Sequence, residues 1–285
     1  GDAIKAKTLA EFGGYCISGD SYWLHKVLMM VGEGANGKSV YMDILGRVVG
    51  ASNHTSIPVQ ALDTPTTRQL LVNKFFNYSE ETATNAIKES STFKALSAGG
   101  ALPVRELYKK GYMWKNKAKF IMACNEMPYS PDSSYGIIRR FAIVKLTERF
   151  EYGRPGYVAN YADVITKDEL PGICNYLLAS YKELRQRGYL SGADRLQVEA
   201  KEFEKMNNHL YAFVEDTLDI GPEKECKKTE LYSAYSRWCE DNNYRPYSNV
   251  QFFLRFWKLG NNIEEVKSRV GEDRVRVIKI GRAHV

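Results

Sequence analysis

Short apolar runs alternate with stretches of helical periodicity over the first 150 residues of the chain. The run "KVLMMV" (26–31) predicts a buried strand, and the later segment "SVYMDILGRVVG" has apolar residues at helical spacing and ends at Gly50. Further strands are predicted within "LLVNKFFNYSEET" (70–82), "AKFIMACNEMP" (118–128) and "RRFAIVKLTERF" (139–150). Strands that alternate with helices favour a three-layer α/β domain around a parallel sheet.

The pattern changes after residue 150. The stretch "KDELPGICNYLLASYKELRQRGYL" predicts helices without a strand, and the amphipathic segments "KKTELYSAYSRWCEDNN" and "SNVQFFLRFWKLG" predict two more helices. A hairpin is predicted around the Gly-Glu-Asp turn between "NIEEVKSRV" and "RVRVIKIG". We therefore divide the chain into a helical lead-in (1–25), an α/β domain (26–150), a helical segment (151–203) and a winged-helix-like module (204–285).

Composition excludes several classes of protein. The 285 residues are 44% hydrophobic and 26% charged, as in ordinary globular proteins. No apolar run approaches the roughly 20 residues that span a bilayer, and "GDAIKAKTLAEFGG" lacks a signal peptide's apolar core. We expect a cytoplasmic protein without membrane association. The five cysteines are widely spaced without a CxxC pair, which argues against a zinc site.

The segment "GEGANGKS" (32–39) satisfies the G-x-x-x-x-G-K-[ST] pattern, with a predicted strand before it and a helix after it. In such a loop, successive backbone N–H groups and the following helix N-terminus point at phosphate oxygens. Lys38 would reach the β- and γ-phosphates, and Ser39 would place its hydroxyl on Mg²⁺. The alternative is a glycine-rich turn without a ligand. The predicted binding residues are Gly32, Gly34, Ala35, Asn36, Gly37, Lys38, Ser39 and Val40.

Polar residues end the next two predicted strands. Glu80 and Glu81 follow the strand within 70–82, where one acid would hold Mg²⁺ and the other would polarise an attacking water. We place Glu80 with Ser39 on the metal and leave the division of roles between the two acids open. Asn125 ends the strand within 118–128 and would orient the water or contact the γ-phosphate. The alternatives are a solvated acidic pair at a helix start and a turn-forming asparagine.

Two basic features complete the pattern. Arg139 and Arg140 directly precede a predicted strand. Guanidinium groups stabilise the negative charge that develops in phosphoryl transfer. If the ATP site lies between subunits, one of these arginines can reach the γ-phosphate of the neighbouring subunit. The alternative is a pair of surface arginines.

The second basic feature is a lysine-rich hairpin. Net charge is +6, and "YKKGY" predicts a hairpin tip with Gly111 in the turn. Such a tip suits nucleic-acid phosphates, although lysines also protect solvated edge hairpins. The run between Arg105 and Lys119 carries six basic residues, namely Arg105, Lys109, Lys110, Lys115, Lys117 and Lys119.

Together these segments resemble superfamily 3 helicases of the phage/plasmid primase–helicase type. The stretch "LAEFGGYCISGD" and the glycine loop are similar to that family's lead-in and Walker A motif, and "SEET" stands at its Walker B position. "FKALSAGGALPVRELYKKGYMWKNKAKFIMACNEMP" resembles its B′ motif, basic hairpin and motif C. "GIIRRFAIV" resembles the arginine-finger segment, and "ELYSAYSRWCEDNNYRPYSNVQFFLRFWKLG" the C-terminal winged-helix segment.

The resemblance implies an AAA+ P-loop ATPase domain that assembles into a homo-oligomeric ring, a hexamer in the usual case, with ATP and Mg²⁺ between subunits. It further implies single-stranded DNA in the channel, contacted by Lys109 and Lys110 with Arg105 nearby, and Arg140 as the arginine finger with Arg139 as its neighbour or substitute. The segment "SAGGALP" departs from the Gly-Asp that family members often carry. They also often carry an N-terminal primase or primase–polymerase domain, which we expect on another segment or partner.

These observations predict an ATP-dependent DNA helicase or translocase that serves phage or plasmid replication in a bacterial or archaeal host. An ATP-driven initiator or loader is the first alternative, and stimulation of ATP hydrolysis by single-stranded DNA would help to distinguish them. A winged-helix DNA-binding protein whose P-loop only gates assembly is the second. A small-molecule P-loop kinase is the third, and it leaves the lysine-rich hairpin without a role.

Overall fold

The computed structural model describes residues 2–80, 90–128, 135–218, 225–259, 263–270 and 273–280. The chain forms two compact units, Gly1–Asn207 and Asn208–Val285. Among the described residues, the first unit has a five-stranded and a two-stranded sheet with two hydrophobic clusters, and the second unit has a three-stranded sheet with one cluster.

The first unit contains seven helices and seven strands among its described residues. The helices are α1 (Ala3–Ile17), α2 (Lys38–Val49), α3 (Pro65–Arg68), α4 (Ser90–Leu96), α5 (Tyr135–Ile138), α6 (Tyr161–Arg187) and α7 (Ala193–Asn207). The strands are β1 (Val27–Val31), β2 (His54–Thr55), β3 (Phe76–Ser79), β4 (Ala101–Val104), β5 (Tyr112–Lys115), β6 (Lys119–Cys124) and β7 (Phe141–Lys145). Short 3₁₀ turns cover Ala51–Asn53, Val59–Asp63 and Gln69–Leu71.

Five strands form a parallel sheet in the order β2-β3-β6-β1-β7. Strand β1 is buried along its whole length and lies between β6 and the edge strand β7, so that Met29 lies opposite Met122 and Ile143. The prediction of a parallel α/β sheet is confirmed. The two-residue strand β2 lies in a segment (51–68) that is rich in Thr, Pro and Ser, a composition that predicts a loop rather than a strand.

Alternate residues of β1 enter two separate cores. Met29 belongs to a cluster with residues of α4, α5 and α7, whereas Leu28 belongs to a cluster with residues of α1, α2 and α6. Helices therefore pack on both faces of the sheet, which gives the three layers expected from the alternation of strands and helices.

Asn77 explains why the apolar pattern of β3 is interrupted. Its side chain is fully buried. Its Oδ1 accepts hydrogen bonds from Thr55 Oγ1 (2.9 Å) and the Ile57 amide (2.8 Å), and its Nδ2 donates to the Ile57 carbonyl (2.9 Å). Because all these polar groups are paired, the amide joins β3 to the edge strand β2 without an unsatisfied buried group.

The second unit contains the helices α8 (His209–Thr217), α9 (Lys228–Asp241) and α10 (Asn249–Phe256) and the strands β8 (Glu225–Lys227), β9 (Ile263–Val270) and β10 (Asp273–Ile280). The strands form an antiparallel sheet in the order β8-β10-β9. Phe252, Phe253 and Phe256 of α10 lie in the core of their own unit. The two predicted helices and the hairpin strands are present, while Gly271 and Glu272 of the predicted turn lie outside the described residues. The winged-helix identity stays a prediction.

No helix in the described ranges combines the length and apolar character needed to cross a membrane.

The buried carboxylate of Glu11 connects α1 to the chain after α6. Glu11 is fully buried. It forms an ion pair with Arg187 at 2.7 Å and accepts hydrogen bonds from the backbone and hydroxyl of Ser191, both at 2.8 Å. With three donors around it, the charge is compensated in a site without water.

We predict that Glu11→Ala lowers the free energy of unfolding by about 3 kcal/mol, because it leaves the Arg187 guanidinium and the Ser191 amide without their acceptor. Urea denaturation followed by circular dichroism measures this. The matched control is Glu183→Ala, which removes an ion pair between Lys7 of α1 and Glu183 of α6. The side chains of Lys7 and Glu183 are both partly exposed. That control is expected to cost less than about 1 kcal/mol, and an equal loss in both variants would contradict the assignment.

Candidate nucleotide-binding site

The loop between β1 and α2 has the backbone conformation that a phosphate cradle requires. Gly34, Ala35 and Gly37 have φ values of +125°, +49° and +84°. A Cβ added at Gly34 or Gly37 would meet no atom within 4 Å, so glycine is needed there for its left-handed backbone rather than for space. At Gly32 a Cβ would collide with the side chain of Asn36 and the carbonyl of Leu146, so space requires glycine there.

Backbone hydrogen bonds fasten this loop to the sheet and to the segment after β7. The Gly32 amide donates to the Cys124 carbonyl (3.0 Å). The Leu146 amide donates to Val31 (2.7 Å), and the Phe150 amide donates to Ala35 (2.7 Å). The pairing of β1 with its neighbours therefore continues beyond the strand and positions the loop.

Lys38 begins α2 and points back into the loop. Only 9% of the residue is exposed. Its Nζ donates to the Gly32 carbonyl and to Asn36 Oδ1, the latter at 2.9 Å. Burial lowers the pKa of this ammonium group. A charged donor held at the mouth of a helix N-terminus is suited to bind a phosphate anion.

A cleft of about 1220 Å³ opens beside the loop. Glu80 directly follows β3 and Asn125 directly follows β6, and both exposed side chains line the cleft. Because these strands are parallel neighbours, their carboxyl ends bring a carboxylate and an amide to the edge where the loop lies. The predicted loop residues in the lining are Gly34, Ala35, Asn36, Gly37, Lys38, Ser39 and Val40.

The cleft has the groups that a nucleoside triphosphate with Mg²⁺ would need. The Ser39 hydroxyl and the Glu80 carboxylate are oxygen ligands of the kind that Mg²⁺ prefers, and Lys38 supplies positive charge for phosphate. The cleft exceeds the usual 300–1,000 Å³ range of ligand pockets, so it has room for a whole nucleotide. Glu81, the second predicted acid, lies outside the described residues.

A second wall of the cleft was not anticipated from the sequence. It includes Arg47 of α2, whose guanidinium donates to Asp43 and to Asp163 and Thr166 of α6. It also includes three partly exposed aromatic residues from "FEYGRPGYVANY" (150–161). The recurrence of aromatic residues in this Gly- and Pro-containing segment was the sequence feature that could have indicated a binding surface. These aromatic residues are Phe150, Tyr157 and Tyr161.

The two predicted arginines lie at the amino ends of the parallel strands, since they precede β7. The phosphate loop lies at the carboxyl ends, since it follows β1. Arg140 is 8% exposed, and its guanidinium donates to the carbonyls of Gly136 and Lys94. Burial and the neighbouring Arg139 lower the pKa of Arg140. Arg139 is exposed. Within the described part of the chain, neither arginine lines the cleft.

The basic hairpin is formed by β4 and β5 as an antiparallel pair. Its tip differs from the prediction. The Lys109 amide donates to the Glu106 carbonyl (3.1 Å), and Tyr108 has a φ of +63°, so the tight turn lies before Lys109 rather than at Gly111. Gly111 is at the base of the loop, where a Cβ would lie 3.3 Å from the Val104 carbonyl.

Exposed basic residues lie at the tip of the hairpin and also at its other end, where Lys115 and Lys117 are exposed. Arg105, Lys109 and Lys110 are exposed, and Lys109 forms an ion pair with Glu106 that raises its pKa. Lys119 does not belong to this surface, because it is fully buried. Its ammonium group donates to the Asp20 carbonyl, and burial lowers its pKa to about 8.

Arg68 fixes the base of the hairpin. This arginine is 4% exposed. Its Nη1 donates to the carbonyls of Leu62 (3.0 Å) and Asp63 (2.8 Å), and its Nε donates to Pro103 in β4 (3.1 Å). The Arg105 amide adds a hydrogen bond to the Pro65 carbonyl (3.1 Å). The hairpin is therefore attached to the turn and helix that precede β3.

Comparison with known proteins gives two partial family matches and a likeness in fold. Residues 30–140 match the model described as "Family of unknown function (DUF5906)", and residues 205–268 match the model "Poxvirus D5 protein-like". Apo structures of the NrS-1 C-terminal region align with 98% of this chain and 75% of theirs, at 13% identity and a TM-score of 0.58. A further A-form apo structure of that region gives 0.55 over 99% of this chain and 75% of its own. At this identity the chain shares the fold of the NrS-1 C-terminal region.

Proposed function

We propose that this chain is the ATP-driven helicase or translocase part of a primase–helicase-type protein of the AAA+ superfamily 3 class, acting in phage or plasmid DNA replication. The observation that carries the proposal is the cleft that brings Lys38 and Ser39 together with Glu80 and Asn125. A loop that only binds phosphate does not need a carboxylate and an amide at the ends of two adjacent strands. A site for hydrolysis does, since it must hold a metal ion and orient a water.

Each side chain then has a defined task. Lys38 and the loop amides bind the phosphates of ATP, and Ser39 and Glu80 hold Mg²⁺. The metal ion, when bound, neutralises negative charge on the phosphate oxygens. Asn125 orients the attacking water, and a carboxylate of the Glu80–Glu81 pair accepts its proton.

The comparisons support a role in replication. One family match concerns a poxvirus D5-like protein, and the fold is that of the C-terminal region of NrS-1. The exposed basic tip of the β4–β5 hairpin supplies the second element, because lysines on a protruding loop suit the phosphates of single-stranded DNA.

The location of the arginines supports a ring. Arg139 and Arg140 lie at the amino ends of the strands, whereas the phosphate loop lies at the carboxyl ends. A second copy of the chain would therefore have to bring one of these arginines to the γ-phosphate. The exposure of Arg139 favours it over the buried Arg140 for this task. We therefore propose a homo-oligomeric ring with ATP between subunits, with Arg139 as the finger and Arg140 as the residue that supports its segment.

Lysines at the hairpin tip are predicted to couple hydrolysis to DNA. In the Lys109→Ala/Lys110→Ala variant, basal ATP hydrolysis should stay at the wild-type rate, while stimulation by single-stranded DNA is lost, because the variant keeps the cleft and loses the phosphate contacts. Steady-state ATPase assays with and without single-stranded DNA measure this. The matched control, Lys182→Ala/Lys201→Ala, removes two exposed lysines from α6 and α7 and should keep the stimulation.

Unchanged stimulation in the hairpin variant would remove the hairpin from the mechanism. Lys38→Ala should abolish hydrolysis with or without DNA. Strand-separation assays on the wild type distinguish a helicase from an initiator or loader, since only the former separates long duplexes processively.

Arg139 is predicted to stabilise the transferred phosphate of ATP bound to the neighbouring subunit. Arg139→Ala should lower the turnover rate on the order of 10³-fold in the assembled ring while leaving ATP affinity unchanged. Mixing Arg139→Ala subunits with Lys38→Ala subunits should restore part of the turnover, because a Lys38→Ala subunit can present its intact Arg139 to a neighbour with an intact loop.

Normal hydrolysis by Arg139→Ala, or no recovery in mixtures shown to co-assemble, would contradict this assignment. Arg140→Ala serves as the comparison. Because the Arg140 guanidinium is buried and bonded to two carbonyls, that variant should lower thermal stability by more than Arg139→Ala does.

A further inference from the structure

The cleft continues beyond the residues that the proposed phosphate chemistry uses. Its second wall includes residues of the segment between β7 and α6, which is hydrogen-bonded to the phosphate loop at Phe150; these residues are Phe150, Gly156, Tyr157, Val158, Asn160 and Tyr161. Phe150, Tyr157 and Tyr161 line this wall and are 46%, 38% and 43% exposed. Three partly exposed rings therefore line one cleft, and the Tyr157 ring is positioned by an edge-on contact with Tyr152, with ring centroids 6.1 Å apart.

This wall is held in a fixed position relative to the phosphate loop. The segment begins with the hydrogen bond from the Leu146 amide to Val31, and Phe150 bonds through its own amide to Ala35 within the loop. Arg149 forms an ion pair with Glu33, which lies in the phosphate loop itself. The aromatic rings and the phosphate loop therefore belong to one connected piece of structure.

A hydrogen-bonding side chain lies next to the rings. Asn160 immediately precedes α6, has a φ of +52° and does not cap the helix with its side chain. It lines the same cleft. An amide carries both a donor and an acceptor, which is the combination that the edge of a nucleobase presents.

We infer that Phe150, Tyr157 and Tyr161 form the subsite for the base of the bound nucleotide, with Asn160 at the edge of that base. The inference rests on the proposed function, since it assumes that the loop holds the triphosphate. Aromatic rings suit a base because every base has a flat π-face, and stacking of this kind contributes substantially to affinity. The phosphates would then lie at the end with Lys38 and the base at the aromatic end of one cleft.

The test separates the base from the phosphates. Binding of ATP and of inorganic tripolyphosphate, each with Mg²⁺, is measured by isothermal titration calorimetry. For Tyr157→Ala, ATP affinity should fall on the order of tenfold while tripolyphosphate affinity is unchanged. Tyr157→Phe should bind ATP like the wild type, because it retains the stacking ring. Tyr176→Ala removes an exposed tyrosine of α6 that does not line the cleft and should change neither affinity.

Four results would overturn the inference. Unchanged ATP affinity in Tyr157→Ala would show that the ring does not contact the base, and an equal loss for ATP and tripolyphosphate would show a general effect on the cleft. If the wild type bound neither ligand, the proposed function would fail and this subsite with it. If the wild type bound tripolyphosphate as tightly as ATP, the phosphate site would stand and the base subsite alone would fail.

Discussion

Backbone pairing on both edges of β1 is the constraint on which the rest of the first unit depends. A strand buried on both faces has no water to satisfy its amides and carbonyls, so each must find a partner in β6 or β7. That pairing continues past the strand through Gly32 and Leu146. The loop is consequently an extension of the sheet, and its left-handed residues are held in a conformation that an isolated glycine-rich segment would rarely adopt.

Much of this arrangement was predictable from the sequence, because the strands and the loop are encoded locally. Continuous apolar runs predict β1 and β6, and the spacing of Gly32, Gly37 and Lys38 predicts the loop. The features that were missed are encoded by partners distant in the chain. Asn77 is polar within a buried strand because Thr55 and Ile57 receive its amide, and the two-residue strand at His54 forms only because β3 lies beside it.

The basic segments illustrate the same limit. Pattern alone treats Lys109 and Lys119 alike, yet one lies at an exposed tip and the other is buried against the Asp20 carbonyl and the Tyr15 ring. Likewise Arg139 and Arg140 are adjacent in the sequence and differ in exposure, because the Arg140 guanidinium is packed against the carbonyls of Gly136 and Lys94 whereas Arg139 is exposed. Charge at a position is read from the sequence, whereas its accessibility depends on the packing of other elements.

Arg68 gives the hairpin a mechanical property. Its guanidinium connects Pro103 in β4 to the carbonyls of Leu62 and Asp63, and the adjacent Arg105 amide adds a second connection to the same region. A force applied at the tip would reach the body of the unit through these short, charge-assisted links rather than through a flexible hinge. The β4–β5 pair is thus attached at Pro103 and at the Arg105 amide to the segment that precedes β3, and the seven residues 105–111 that join its two strands extend from this attachment.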